Sequence, residues 1–318
     1  MTKRLVTIKN GGIEVGVIPD LGGMVASLHV VGMPNILKAD RALWNQPPDI
    51  HRTFDPNSHW KPHNGQIVWV GPQSEWWAHQ NLSPKRRRAK SKWPPDPYLD
   101  HGNFEVVERG DAELVLQGPK SEFTGVQLTK TIKVEDGIVY FDVSAKNIRR
   151  TPVSWDLWLN LRVDGYARVY VPVTHEQKVR VEGKVTSTRD MSIFDYDEGY
   201  CFIDARVPLP EKNERFAKAY INAKRGAMAA FVNSQALIIR FKRHQAELIH
   251  PEHTVVELYN YTNNERDDAL TEMEYHSPYV TLQPGETMEA SQQWELYAFK
   301  SRWDHHRCCV EFMKDMGV

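Results

Sequence analysis

Cysteine is nearly absent: the 318 residues hold three, Cys201 alone and Cys308 next to Cys309. That number and spacing leave no disulfide framework and no paired metal knuckle, and they fit a reducing, cytoplasmic compartment. No run of eighteen or more apolar residues occurs, so no transmembrane helix is expected. The opening MTKRLVTIKNGG has basic residues but no apolar stretch behind them, and does not read as a secretory signal. An excess of one charge is missing too, since 40 Lys and Arg meet 41 Asp and Glu. Nucleic-acid and membrane-surface partners, which draw on a cationic excess, are therefore not expected. Glycine-rich phosphate loops, the Gly-x-Ser-x-Gly elbow and His-Glu-x-x-His are also lacking. Helical periodicity is scarce and confined to a short terminal segment, residues 299–315.

What is abundant is alternation with a period of two, the spacing that lines up side chains on one face of a strand. In VQLTKTIKV, Val126, Leu128, Ile132 and Val134 share a phase, and in GIVYFDVSAKN so do Val139, Phe141, Val143 and Ala145. Glu135-Asp136-Gly137 between them reads as a hairpin turn. Met288, Ala290, Trp294, Leu296 and Ala298 form another such phase. About fifteen segments of this kind, many separated by Gly, Asn, Asp or Pro at 8–12-residue intervals, predict an all-β antiparallel sandwich or barrel. Residues 40–103 interrupt the pattern with six of the ten tryptophans (Trp44, Trp60, Trp69, Trp76, Trp77, Trp93) and five histidines (His51, His59, His63, His79, His101). So many tryptophans argue for an ordered functional loop insertion within one domain spanning 1–318.

Four features carry possible chemistry. Tryptophans on loop-like sequence offer flat faces for a sugar ring, or else form a small satellite core. LTEMEYHSP puts Glu272, Glu274 and His276 on one side of a strand, about 6.6 Å apart from residue to residue. They form either a general acid–base set or a solvated polar face. KRRRAKSK, residues 85–92, is either a grip for an anionic ligand or a solvated loop. His59 with His63, and His305-His306 with Cys308-Cys309, are weak metal patterns; Pro62 breaks the helix that the first pair would need. No metal site and no cofactor are assigned.

The stretch IEVGVIPDLGGMVASLHVVGMPNIL resembles the opening of the galactose mutarotase-like superfamily, the group that includes the aldose 1-epimerases. HNGQIVWVGPQSEWW and KWPPDPYLDHGNF resemble the Trp/Pro-rich loops of an uncharacterised branch of it. TGVQLTKTIKVEDGIVYFDVSAKNIRRTPVSWDLW, VVELYNYTN and MEYHSPYVTLQPGETMEASQQWEL follow in the superfamily's order, so the resemblance spans residues 4–298. It implies a β-supersandwich of two large, mostly antiparallel sheets and a small-molecule carbohydrate ligand, neutral or anionic, bound by a monomer or homodimer. It also implies anomer interconversion, in which a Glu takes the anomeric hydroxyl proton while a His protonates the ring oxygen.

Carried over by position, Glu274 matches the base, with Glu272 as fallback. The segment that holds the catalytic His is here Trp155-Asp156-Leu157-Trp158-Leu159-Asn160-Leu161, so Asp156 stands in its place. An ordinary Asp is ionised at pH 7 and a poor acid, so His276, His63 or His79 would replace it. The branch carries a Lys before its first-loop Leu-Trp, and Asn64-Gly65-Gln66-Ile67-Val68-Trp69 lacks it. Trp69, Trp76 and Trp77 would stack on the sugar, with Trp93, His63, Gln66, Gln73 and His79 around it. The rival functions are a non-catalytic sugar-binding or sensing module, and a lyase or hydrolase acting on an acidic sugar polymer.

Overall fold

A computed structural model describes residues 5–39, 63–175, 179–185, 193–203, 215–262, 269–300 and 305–318. Trp44, Trp60, His51 and His59 lie outside the described residues. Twenty strands and three short α-helices occur among those described. The first sheet runs Val6–Asn10, Ile13–Ile18, Met24–Val30, Gln66–Gly71, Val153–Asp164, Leu270–His276, Val256–Thr262, Arg215–Ile221, Val179–Val185, and Val280–Leu282 adds to the start of Val153–Asp164. The second runs Phe194–Asp197, Tyr200–Ile203, Arg168–Pro172, Ala227–Val232, Gln235–Phe241, Thr287–Ala298, Ile138–Asn147, Val126–Glu135, Glu113–Gln117, Glu105–Arg109. The strand pairs are antiparallel throughout. This is the sandwich of two large sheets that the alternation and the resemblance led us to expect.

The core lies between the sheets and is built from the apolar phases. Leu157, Leu159 and Leu161 of one sheet and Phe141, Val143 and Trp294 of the other belong to one buried cluster. Phe141 and Trp294 stack with ring centroids 4.9 Å apart. Each such side chain withdrawn from water contributes roughly 1.5–3 kcal/mol. Lys130 sits in the same buried phase of Val126–Glu135 and is 0% exposed. Its ammonium donates to the Gly22 carbonyl at 2.8 Å, which satisfies a polar group the alternation alone would have placed outside. Burial pulls its pKa down to about 7.

Two expectations need correction. The 40–103 interruption is not loop throughout: Gln66–Gly71 is a central strand, paired along its length with Val153–Asp164. Trp69 therefore sits on a strand. The cationic run is not a plain solvated loop either, because Pro84–Arg88 is a short helix and Arg86 is turned inward. Its guanidinium donates to the Trp93 carbonyl and lies 4.8 Å from the Trp77 ring centroid. The expected terminal helix is found as His305–Asp315, and it buries Cys309, Val310 and Met313 against Tyr170, Phe202 and Phe231 of the second sheet.

The hairpin turn forms as read, with Glu135 paired to Ile138 across Asp136 and Gly137. Both central residues have positive φ, 50° and 79°, the twist a two-residue hairpin favours. Gly137→Val places a β-branched residue in that region and is expected to lower stability by about 1–3 kcal/mol, read from urea unfolding. An unchanged midpoint would contradict the turn assignment.

Candidate functional site

The face of the first sheet turned away from the core carries the other phase of the same strands. Along Val153–Asp164, Leu157, Leu159 and Leu161 point inward, so Asp156, Trp158, Asn160 and Arg162 point outward. Antiparallel pairing sets neighbours beside them. Trp69 and His276 flank Trp158, Glu274 lies beside Asn160, and Glu272 beside Arg162. Glu257 continues the row from Glu274, and Tyr220 follows it. Tyr259 and Lys218 continue the row from Glu272. The predicted one-sidedness of Glu272, Glu274 and His276 is thus observed.

The solvated-face reading of that trio is not. Glu274, Glu257, His276 and Asp156 are all 0% exposed. The Lys218 ammonium lies 2.7 Å from Glu257 Oε2 and 3.0 Å from Glu274 Oε2. It also stands 4.9 Å over the Trp158 ring. His276 Nε2 is 3.7 Å from Glu257 Oε2 and 4.0 Å from Glu274 Oε2, while its Nδ1 is 3.5 Å from Asp156 Oδ1. The His253 ring stacks on it with centroids 4.0 Å apart. Asp156 also accepts from the Gly71 amide, and Glu257 Oε1 accepts from the Thr254 amide at 3.0 Å. Arg162 closes the row with two bonds to Glu272 Oε1.

The charges sort themselves by these contacts. Burial, reinforced by the neighbouring carboxylates Glu272 and Glu257, pushes Glu274 up to about 8 against the pull of Lys218. Burial would raise Glu257 as well, but Lys218 and His276 outweigh it and hold that carboxyl well below its usual range. Burial opposes a charged His276, yet Glu257 and Asp156 raise it to about 9. Burial and the charge on His276 lower His253. At neutral pH the cluster thus holds a protonated Glu274, an imidazolium at His276 and an ionised Glu257 clamped by Lys218. Such separated proton affinities within one cluster are a recognisable mark of acid–base sites.

Several buried polar atoms on this face have no hydrogen-bond partner among the described residues. They include Trp158 Nε1, both side-chain polar atoms of Asn160, Arg162 Nη1, His276 Nε2 and His253 Nε2. Buried polar groups are ordinarily satisfied, so a concentration of free ones along one strand marks where a polar ligand sits. Two sets of atoms lie close enough for a metal ion, Asp156–His253–His276 and Glu257–Glu274–His276, each within 4.8 Å. The second already holds the Lys218 ammonium between its carboxylates.

The structure distributes the other sequence candidates unevenly. Trp69 and Trp76 are buried and pack by edge and face on Trp158, with centroids 5.0 and 5.9 Å away. They back the site's indole rather than offering open faces, and their N–H groups are spent on Asp100 and on the Val70 carbonyl. Trp77 is buried against Phe123 within the main core, away from the charged cluster, so it is neither a stacking face nor part of a separate satellite core. Trp93 is 42% exposed and reaches the ring cluster through Trp69. Gln66 is paired with Leu161 and so shares its core-facing side, which removes it from this site. Gln73 donates to the Lys92 carbonyl. His63 packs on His101, whose Nε2 lies 3.0 Å from the same Asp100 that holds Trp69. His79 pairs with Glu75 in a separate cleft.

Sequence reasoning missed Trp158, Asn160, Arg162, Lys218, His253 and Glu257. In WDLWLNLR every second residue departs from leucine, and that phase was available as a signal. Lys218 and Glu257 stand as single charges in otherwise apolar strands, FAKAY and VVELY.

Solved structures with the same architecture include a galactose mutarotase-like protein of Lactobacillus casei, at TM-score 0.56 and 10% identity, covering 92% of this chain and 100% of that one. A galactose mutarotase-like protein of Clostridium acetobutylicum matches at TM-score 0.53 and 11% identity, covering 93% and 95%. A protein of Synechocystis matches at 0.52 and 13%, covering 92% and 96%. The fold is therefore that of the galactose mutarotase-like sandwiches. Residues 3–297 match the family described as a domain of unknown function, DUF4380, and the chain belongs to that family. No curated protein matches it. No helix among the described residues is long and apolar enough to cross a membrane.

The charge pattern fixes a sign for stability against pH. A carboxyl raised from 4.5 to about 8 contributes fully below 4.5 and loses that contribution as pH rises to 8. His276, raised from 6.5 to about 9, loses its contribution between those values. Glu257, held low, acts only at acid pH and in the opposite sense. Lys130, pulled from 10.5 to about 7, acts the other way and adds stability as pH rises between those values, so the sign is read against the variant: from pH 7 to 8 the Tm of the parent should fall relative to that of Glu274→Gln. Equal slopes in thermal unfolding followed by circular dichroism would refute this.

Proposed function

We propose that this protein binds a small carbohydrate on the phase of the Val153–Asp164 strand turned away from the inter-sheet core, and interconverts its anomers by acid–base catalysis of the aldose 1-epimerase type. The observation that carries the reading is the row of unpartnered buried groups on Trp158, Asn160 and Arg162 beside Glu274 and His276. Free donors and acceptors in one row match a ligand whose hydroxyls both give and take hydrogen bonds. The Trp158 ring is packed between Trp76 and the Lys218 ammonium, so what it offers a ligand is its indole N–H, held in place by Trp69 and Trp76. The protein works in the cytoplasm on this reading, with a free sugar as its partner.

In the mechanism, the ionised Glu274 takes the proton from the anomeric hydroxyl as the C1–O5 bond opens. The His276 imidazolium gives its proton to the ring oxygen. Rotation about the C1–C2 bond and reclosure, with both protons returned, yields the other anomer. Asp156, which fills the position of the family histidine, becomes the partner of the imidazole on the adjacent strand. Glu257 and Asp156 keep that imidazole charged. Acid–base help of about 10² to 10⁴ per group suffices for a reaction that already runs in water, so no cofactor is required.

A base near 8 and an acid near 9 give a rate that climbs as Glu274 ionises and declines as His276 deprotonates. Proton NMR of freshly dissolved pure anomers should therefore find fastest relaxation between pH 8 and 9. Glu274→Gln and His276→Gln should each slow it about 10²-fold or more. Unaccelerated relaxation across neutral sugars, uronates and sugar phosphates would sink the catalytic claim. A sugar-binding module without turnover is the second reading, favoured by the Lys218 clamp on both carboxylates. It predicts that Glu274→Gln binds sugar as well as the parent.

A further inference from the structure

A separate cavity of about 570 Å³ opens near the start of the Val153–Asp164 strand. Its walls include Glu75, His79, Arg87, Arg149, Ser154 and Tyr279. The two arginines reach it from distant parts of the chain. Arg87 belongs to the cationic run and the Pro84–Arg88 helix, whereas Arg149 follows the Ile138–Asn147 strand. Neither has a carboxylate within ion-pair distance among the described residues. Arg87 spends Nη1 on Asn81 Oδ1 at 2.8 Å, and Arg149 spends Nη2 on the Phe123 carbonyl at 2.8 Å. A guanidinium has five N–H groups, so most of each fork stays free to donate. The one acid in the wall, Glu75, is already engaged by His79 at 2.5 Å. Arg149 is partly withdrawn from water, and burial lowers its pKa against the weaker pull of Asp96; a charge held there with no carboxylate in ion-pair range among the described residues gains from an anion.

We propose that this cleft is a binding site for an oxyanion group, a carboxylate, sulfate or phosphate, held between Arg87 and Arg149. Planar forks of this kind pair bidentately with such groups. The site is distinct from the hydroxyl-binding row and stands whether or not that row turns over a sugar. A series of rings joins the two: Tyr279 to His250 at 4.8 Å, His250 to His253 at 6.2 Å, and His253 to His276 at 4.0 Å. An acidic substituent in the cleft and a sugar on the row would belong to one ligand or to two.

The test is calorimetric titration of the full chain with sodium phosphate at constant ionic strength. One saturable site is expected, weakened about tenfold in Arg87→Gln by loss of one charge-assisted bond. Arg88→Gln, an exposed neighbour in the same run outside the cleft, should bind like the parent. Arg149→Lys, which keeps the charge without the fork, should fall between the parent and Arg87→Gln. Glucose should not displace phosphate, and glucose 6-phosphate tighter than both would assign the two places to one ligand. No saturable phosphate uptake by the parent overturns the proposal. Equal affinity in Arg87→Gln, or displacement of phosphate by glucose alone, does so too.

Discussion

The ammonium of Lys218 is what allows this sheet face to exist. Two carboxyl groups side by side in register and out of water would repel each other and lose their hydration, a cost of several kcal/mol for each uncompensated charge. Lys218 lies within 3.0 Å of both. The arrangement resolves unequally: Glu257, also bonded by the Thr254 amide, keeps its charge, and Glu274 holds a proton into the neutral range. That leftover proton affinity gives the face its chemical character, because a carboxyl poised near 8 next to an imidazolium is able to exchange protons near neutrality.

The sandwich supplies the geometry that this electrostatics needs. Period-two alternation commits one phase of each strand to the core and releases the other, and the order of strands decides which released residues meet. Leu270–His276 is placed between Val153–Asp164 and Val256–Thr262, so Glu274 touches Asn160 on one side and Glu257 on the other. A one-residue slip of any of these strands would send the carboxylates into the leucine core. The dry core face thus fixes the register of the polar face.

Much of this was legible in the sequence. The Val126–Asn147 hairpin followed from its phases and its Asp-Gly turn, and the shared side of Glu272, Glu274 and His276 followed from spacing. Burial of that side did not follow, because alternation separates two faces without saying which one water reaches. Gln66–Gly71 escaped notice since QIVWVG is a short apolar run among tryptophans and histidines, with no polar phase to mark it as a strand. Lys218, Glu257 and His253 were missed for another reason. Each is an isolated residue whose meaning comes from strand order, which a local pattern does not encode. The tryptophans were legible as a cluster, but their roles were not. Trp158, on a strand, is an indole whose N–H has no partner among the described residues, while Trp69 and Trp76 support it from behind.

The central claim is that the free donors and acceptors along Trp158, Asn160 and Arg162 are the seat of a hydroxylated ligand. A crystal structure of the protein soaked in a sugar tests it directly. The account predicts ring oxygens or hydroxyls within about 3.2 Å of Trp158 Nε1, the Asn160 amide and Arg162 Nη1, with the anomeric carbon facing Glu274 and His276. Finding those atoms already bonded to the protein's own groups, with the sugar elsewhere or absent, would contradict it.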